Sequence, residues 1–272
     1  LDMTVILPVH NEGPRVAAKI ENLLGQRYQG GSMRIVVVDD GSSDGACEQL
    51  SRPRTDAISV ARLEKRGGKA SALNKGMELA TGDIVVFTDA RQDLASGALG
   101  ALAANFADSG VAAVTGRLVN RSRDAEGFFR RYEESIRSWK SSWGSCAGAT
   151  GALYAVRREC LKPLPAETIL DDLVISLGAT RYGRLVYERD AIAFESSESS
   201  QRTWSRRLRT LAGNWQMLFH VGRFVTAFSV RNLGPVVLHK ALRLLFPFFA
   251  TGFLISLALA APVALSVTGG IL

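Results

Sequence analysis

Five short apolar runs, Thr4–Val9, Arg34–Val38, Ala57–Ala61, Ile84–Thr88 and Val111–Thr115, alternate with segments of helical spacing at Arg15–Leu24, Gly68–Leu79 and Ala98–Phe106. Runs that are apolar on successive residues and bounded by turn residues fit strands buried on both faces rather than half-exposed ones. Strand and helix in turn place parallel strands side by side, with helices covering the sheet above and below. The expected fold class is α/β, with a mostly parallel sheet. In such sheets ligands gather outside the carboxyl ends of the strands, so the residues just after each run carry the most weight. Further along, Phe128–Trp143 and Asp171–Ala179 read as helices, Gly144–Gly151 as a small-residue loop, Gly151–Val156 as a strand and Ser196–Ser200 as a polar linker.

The charge is unevenly placed. The chain carries 33 Lys and Arg against 26 Asp and Glu. No acidic residue follows Glu198, and residues 1–198 are close to neutral. The basic surplus therefore belongs to the C-terminal segment, which argues against a nucleic-acid partner for the α/β part. Leu244–Leu272 is uncharged and longer than the ~20 apolar residues that cross a bilayer. Arg231, Lys240 and Arg243 precede it and put that side in the cytoplasm. Trp204, Leu208, Leu211, Trp215 and Leu218 form one apolar stripe at helical spacing, as expected for a helix lying in a membrane interface. An ordinary core-packed amphipathic helix is the plain alternative. The expected organisation is a catalytic domain over 1–198, an interfacial region over 199–230 and a membrane span over 231–272. The expected location is the inner or plasma membrane with the catalytic domain in the cytoplasm, and the chain reads as a piece of a longer membrane protein. Three cysteines, Cys47, Cys146 and Cys160, without C-x-x-C spacing suggest neither disulfides nor zinc.

Chemistry-bearing residues stand at the expected strand ends. Asp39-Asp40-Gly41-Ser42 closes the second run and Thr88-Asp89-Ala90-Arg91 the fourth. Adjacent carboxylates are costly there unless something binds them, although a plain Asp-Gly turn reads the same way. Arg66-Gly67-Gly68-Lys69 opens a helix, where amides and a cation suit a diphosphate. Leu170-Asp171-Asp172 opens another, and paired carboxylates raise one another's pKa, as a general base requires. Favourable charge at a helix start is the bland alternative for that pair.

Taken in order, Pro8-Val9-His10-Asn11-Glu12, the Asp39–Asp44 stretch, Arg66–Lys69 with Leu73-Asn74-Lys75-Gly76, Gly82-Asp83, Thr88-Asp89-Ala90, Thr150–Arg158, Leu170-Asp171-Asp172 and Arg206-Arg207-Leu208-Arg209 closely resemble the family 2 glycosyltransferases of the cellulose, chitin and hyaluronan synthase type. The resemblance implies a GT-A nucleotide-sugar fold followed by interfacial and transmembrane helices. It implies an inverting transferase that moves a sugar from a nucleotide-sugar donor, UDP-sugars favoured, to a glycan or lipid acceptor at a membrane. By that resemblance Pro8, Asn11, Glu12, Asp39, Asp40, Gly67, Gly68, Lys69, Asp89 and Arg91 bind donor. Asp172, with Asp171, supplies the base. Gly151, Arg206, Arg207 and Arg209 serve the acceptor and diphosphate, and Asp89 holds a divalent cation, Mg2+ or Mn2+. The chain departs from the pattern at Arg91, which replaces the second acid of D-x-D and leaves Asp93 as a substitute, and at Arg206 and Thr210 in the Q-x-x-R-W element. Those departures keep open a single transfer to a membrane lipid, and a non-catalytic sensor or assembly subunit.

Overall fold

The computed structural model describes residues 1–26, 28–45, 56–120, 146, 148–195, 200–219 and 244–257. Among them one sheet of eight strands runs in the order β3-β2-β1-β4-β7-β6-β8-β5. Its strands are β1 (Met3–Val9), β2 (Met33–Asp39), β3 (Ile58–Arg62), β4 (Ile84–Thr88), β5 (Gln92–Leu94), β6 (Val111–Asn120), β7 (Leu153–Arg157) and β8 (Arg184–Glu195). The helices are α1 (Gly13–Leu24), α2 (Lys69–Leu79), α3 (Ala98–Ala104), α4 (Asp171–Ala179), α5 (Ser200–Phe219) and a further helix, α6, over 244–257. All five expected apolar runs are strands.

The alternating direction of side chains along each strand explains why continuous apolar runs were needed. On one face Val5, Leu7, Ile35, Val37 and Val86 pack with Val16, Ile20 and Leu23 of α1 and Leu99 and Leu102 of α3. On the other face Ile6, Val85, Phe87, Tyr154 and Val156 pack with Ala70 and Leu73 of α2 and Ile175 of α4. Helix α2 approaches β1 so closely that a Cβ on Gly76 would meet the Ile6 side chain at 2.5 Å.

The sheet is mixed, with β7 and β5 running against six strands that share one direction. β1, β2, β3 and β4 pair in parallel. β7 runs antiparallel to both β4 and β6, and β5 antiparallel to β8. Two strands were not foreseen. β8 is interrupted by Glu188-Arg189-Asp190, which reads as a turn, but its pairing with β6 jumps there from Thr115↔Tyr187 to Arg117↔Ile192. Such a bulge keeps both arms in the sheet. A Cβ on Gly116 opposite it would meet the Ala191 carbonyl oxygen at 2.5 Å, so the close approach needs glycine. β5 is only three residues long and lies at the sheet edge. There α1 supplies the partners: Lys19 donates to the Gln92 carbonyl at 2.6 Å, and the Asn22 amide exchanges bonds with Leu94 at 2.8 and 3.0 Å. Side chains thus close a strand edge that would otherwise be open.

Among the described residues no helix is long and apolar enough to cross a membrane. Of the expected span, residues 244–257 are helical and 258–272 lie outside the described residues, as do 220–243 and the expected helix Phe128–Trp143. The stripe on α5 is exposed at Trp204 (62%), Leu208 and Leu211 rather than packed on the sheet. Trp215 stacks on Phe219 and meets Phe248 edge-on. Phe246, Phe249 and Phe253 on α6 are exposed as well. Cys146 and Cys160 are buried.

Candidate active site

A cleft of about 820 Å³ opens over the carboxyl ends of β1, β2 and β4. Of the residues singled out from the sequence, Pro8, Asn11, Glu12, Asp40, Gly68, Lys69, Asp89, Arg91 and Arg209 line it, together with Ser205 of α5. Asp39 is buried behind this lining, and Gly67 is exposed outside it.

The loops after β1 and β2 are sewn together by short polar side chains. The Asn11 amide nitrogen donates to Ser42 Oγ at 3.0 Å, and Asn11 Oδ1 accepts from the Ser43 amide at 2.9 Å. Asn11 has φ of 53°, a left-handed conformation that Asn tolerates better than most residues. Asp39 is fully buried. Its Oδ1 accepts from the Ser42 amide at 2.9 Å. Its Oδ2 lies 3.3 Å from Arg62 Nε, a charge contact without hydrogen-bond alignment, so that oxygen has no hydrogen-bond donor among the described residues.

Asp40 accepts the Gly67 amide at 2.6 Å and the Gly68 amide at 2.9 Å. The glycine amides expected to be open to a diphosphate are therefore already taken by this carboxylate. Gly68 needs its φ of 83° to enter α2. A Cβ on Gly41 would stand 3.1 Å from the Arg66 amide nitrogen, which keeps the two loops in register.

Lys69, the first residue of α2, joins the halves of the site. Its Nζ lies 3.0 Å from Asp89 Oδ1 and 3.0 Å from Asp171 Oδ2. Burial acts to push the ammonium's pKa down, but Asp89 and Asp171, with Asp172 behind them, outweigh it and hold Lys69 protonated above its ordinary range. Asp171 and Asp172 open α4 on the far side of this ammonium. Asp172 Oδ1 accepts from the Leu173 amide at 2.8 Å. A Cβ on Gly151 would lie 3.2 Å from Asp172 Oδ2, so that glycine gives the carboxylate room. Beneath them Tyr154 stacks on Phe87 at 4.8 Å. Burial, then the charges of Asp171, Asp172 and Asp89, push its phenol pKa well up, and the ring stays neutral.

Arg91, at the position of the second D-x-D acid, pairs with Glu12, whose Oε1 lies 2.7 Å from Arg91 Nε. Asp93, the expected substitute, is exposed on β5 and does not line the cleft. Asp89 is then the carboxylate that D-x-D offers a cation, and one of its oxygens already meets Lys69. Among the described residues no group of three His, Cys, Asp or Glu side chains is arranged to hold a metal. The fit is that of a site completed mainly by a ligand's own oxygens. Arg206 and Arg207 lie on α5 as expected, but their side chains are outside the described residues.

Sequence reasoning missed the Glu12–Arg91 pair, Tyr154 and the inward face of α5. The last left a signal, because Ser205, Arg209, Gly213 and Gln216 recur at intervals of four, four and three.

A mixed α/β sheet with a polar cleft at its strand ends, an ammonium between two acids and an acidic helix start defines the nucleotide-sugar transferase class of fold. The chain belongs to glycosyl transferase family 2, whose family model matches residues 4–162. It is 26% identical over 229 residues to a beta-monoglucosyldiacylglycerol synthase of Trichormus variabilis, covering 79% of this chain and 49% of that protein. It is 36% identical over 93 residues to an undecaprenyl-phosphate 4-deoxy-4-formamido-L-arabinose transferase of Pectobacterium carotovorum, covering 33% of this chain and 28% of that one. The chain thus spans about half or less of the length of these curated relatives. Among solved structures, a mannosyltransferase from Pyrobaculum calidifontis in complex with GDP-Man and Mn2+ superposes with a TM-score of 0.77 at 28% identity, over 98% of this chain and 79% of that one. GalNAc-T7 with UDP, GalNAc and Mn2+ shares the fold at a TM-score of 0.55 and 17% identity, over 74% of this chain and 44% of that one.

Proposed function

We propose that the chain is the catalytic part of an inverting glycosyltransferase that passes a sugar from a nucleotide-sugar donor to a lipid, lipid-linked or glycan acceptor at a membrane face. The observation that carries the reading is the Lys69 bridge, 3.0 Å from both Asp89 and Asp171, which sets the donor cleft and the acid pair on either side of one cation. In this reading Asp172 takes the proton from an acceptor hydroxyl as it attacks the anomeric carbon, on the face opposite the leaving diphosphate. The transition state is oxocarbenium-like. A base on the acceptor side inverts configuration, so an α-linked donor gives a β-linked product.

The cleft cations Arg66, Lys69 and Arg209 offer charge to the departing diphosphate. A divalent cation, when bound, would neutralise part of that charge, and Asp89 is the residue that would hold it. UDP-sugars are the first donors to test, with GDP-sugars beside them because the mannosyltransferase neighbour carries GDP-Man. Relatives named for a diacylglycerol lipid and for undecaprenyl phosphate support a lipid or lipid-linked acceptor.

Membrane placement belongs to the same proposal. The exposed Trp204, Leu208 and Leu211 of α5 and the aromatic surface of α6 suit a bilayer interface, with the catalytic domain on the cytoplasmic side. The full chain should bind liposomes containing anionic lipid, more weakly at high salt. Absence of any association would remove the membrane from the reading.

The chemistry is tested by incubating the detergent-solubilised chain with UDP- and GDP-sugars and lipid acceptors, then reading nucleoside diphosphate release and the product's anomeric configuration by NMR. Inverted product supports the mechanism. Retained configuration, or donor binding without any transfer, overturns it.

A further inference from the structure

Helix α5 carries a second feature, on the side turned toward the protein. Gln216 Oε1 accepts from the Ile169 amide at 3.2 Å, while Gln216 Nε2 donates to the Glu167 carbonyl at 2.8 Å. One side-chain amide thus pairs with both backbone polarities of the segment that runs directly into Asp171 and Asp172. One turn earlier, a Cβ on Gly213 would meet Leu170 Cγ at 2.6 Å and Ile169 Cγ2 at 3.0 Å, so the α5 backbone is pressed against the same segment. Glycine in a helix interior costs about 1 kcal/mol relative to alanine, and contact this close is what requires it here. The entrance of α4 has no side-chain cap of its own, since Leu170 stands at the cap position. What fixes that entrance comes from α5 on one side and, through Asp171, from Lys69 on the other.

We infer that Gln216 is a positioning residue for acceptor deprotonation: it sets the 167–170 segment, and through it the carboxylate of Asp172. The inference rests on the reading of Asp172 as base. Ser205 and Arg209 of the same helix face reach the donor cleft, so α5 touches both halves of the site, and Gln216 acts on the acid half alone. A displacement of about 1 Å at a reacting group is enough to cost on the order of 100-fold in rate.

The test uses the full chain with the donor and acceptor found active. Gln216→Leu keeps the side chain's bulk but neither bond. It should lower kcat about 10- to 100-fold, with donor KM, nucleoside-diphosphate affinity by calorimetry and melting temperature near wild type. Gly213→Val, pushing Leu170 from the same face, should lower kcat as well, with a fall in melting temperature that Gln216→Leu does not show. On an Asp172→Asn background Gln216→Leu should add no further loss, since a residue that acts through Asp172 has nothing left to position. Unchanged kcat in Gln216→Leu overturns the inference. So does a kcat that falls together with nucleotide affinity and melting temperature, or full additivity with Asp172→Asn. If Asp172→Asn itself keeps wild-type turnover, the base reading falls and this inference with it. An inactive Asp172→Asn beside a fully active Gln216→Leu removes the positioning role alone.

Discussion

The chain contains the dipeptide Asp-Asp at two functional places, and the two pairs are neutralised in opposite ways. Asp39 and Asp40, at the end of β2, give their carboxylates mostly to backbone amides: Ser42 for Asp39, Gly67 and Gly68 for Asp40. At the start of α4, Asp171 faces an ammonium instead, while Asp172 rests one oxygen on the Leu173 amide and turns the other toward Gly151. Amides carry no exchangeable charge and lie at fixed places in the chain, so the first pair holds loops in shape. An ammonium on a flexible stem can change partners, so the second pair stays adjustable beside the cleft. Identical residues therefore take different work from what opposes them.

The largest effect should come from the pair at α4. Asp172→Asn should lower transfer by about 10²- to 10⁴-fold while leaving the melting curve in place, read by single-turnover transfer and thermal unfolding. Asp40→Ala should act on stability, which Asp172→Asn leaves in place. Bonds to charged groups are worth about 1.5–3 kcal/mol each, so it should cost roughly 3 kcal/mol in chemical denaturation. Comparable stability losses in the two variants would erase the contrast.

A smaller effect is expected at Gly151, where an added methyl would crowd Asp172 Oδ2 at 3.2 Å. Gly151→Ala should lower turnover roughly 10-fold, within the range set by misplaced reacting groups, with nucleotide affinity kept. Equal turnover would show that the acid pair has more slack than the contrast allows.

The smallest effect sharpens the point about partners. Lys69 has carboxylates against it, whereas Lys19 is buried against the Gln92 carbonyl. Burial pushes Lys19 down to about 8, although Asp93 and Asp89 act the other way. Below pH 8 both folded and unfolded chains hold this proton and the burial penalty is present in full. Between about 8 and the ordinary lysine value of ~10.4 the unfolded chain binds more protons, so stability from this group rises with pH. The gain from pH 8 to 9 should stay under about 1.4 kcal/mol. Urea denaturation at the two pH values should show that rise in the wild type and lose it in Lys19→Met. An equal slope in both would mean that Lys19 is not buried as described.

Much of this was legible because the donor half uses local rules. Apolar runs ending in Asp39-Asp40 and Thr88-Asp89 gave strand, direction and cleft together, and Asp171-Asp172 announced its helix. What stayed hidden depends on partners far along the chain. That Asp40 also holds the Gly67 amide, 27 residues on, is written nowhere near it in the chain. The same holds for Arg91 and its partner Glu12, 79 residues back. β8 was lost because Glu188-Arg189-Asp190 looks like a turn in a strand that is only half buried. β5 was too short to leave a periodicity.

The reversed direction of β7 has a consequence for how such a domain can diversify. Because Leu153 pairs with Thr88 and Arg157 with Ile84, the strand begins at the cleft and leaves at the opposite end of the sheet. Residues 148–152, just ahead of Leu153, are therefore delivered to the cleft rim, where Gly151 lies beside Asp172. A change at Gly151 can thus act on the acid pair while the nucleotide-facing loops keep their stitching. Direction in one strand lets the acid half of the site be altered apart from the donor half.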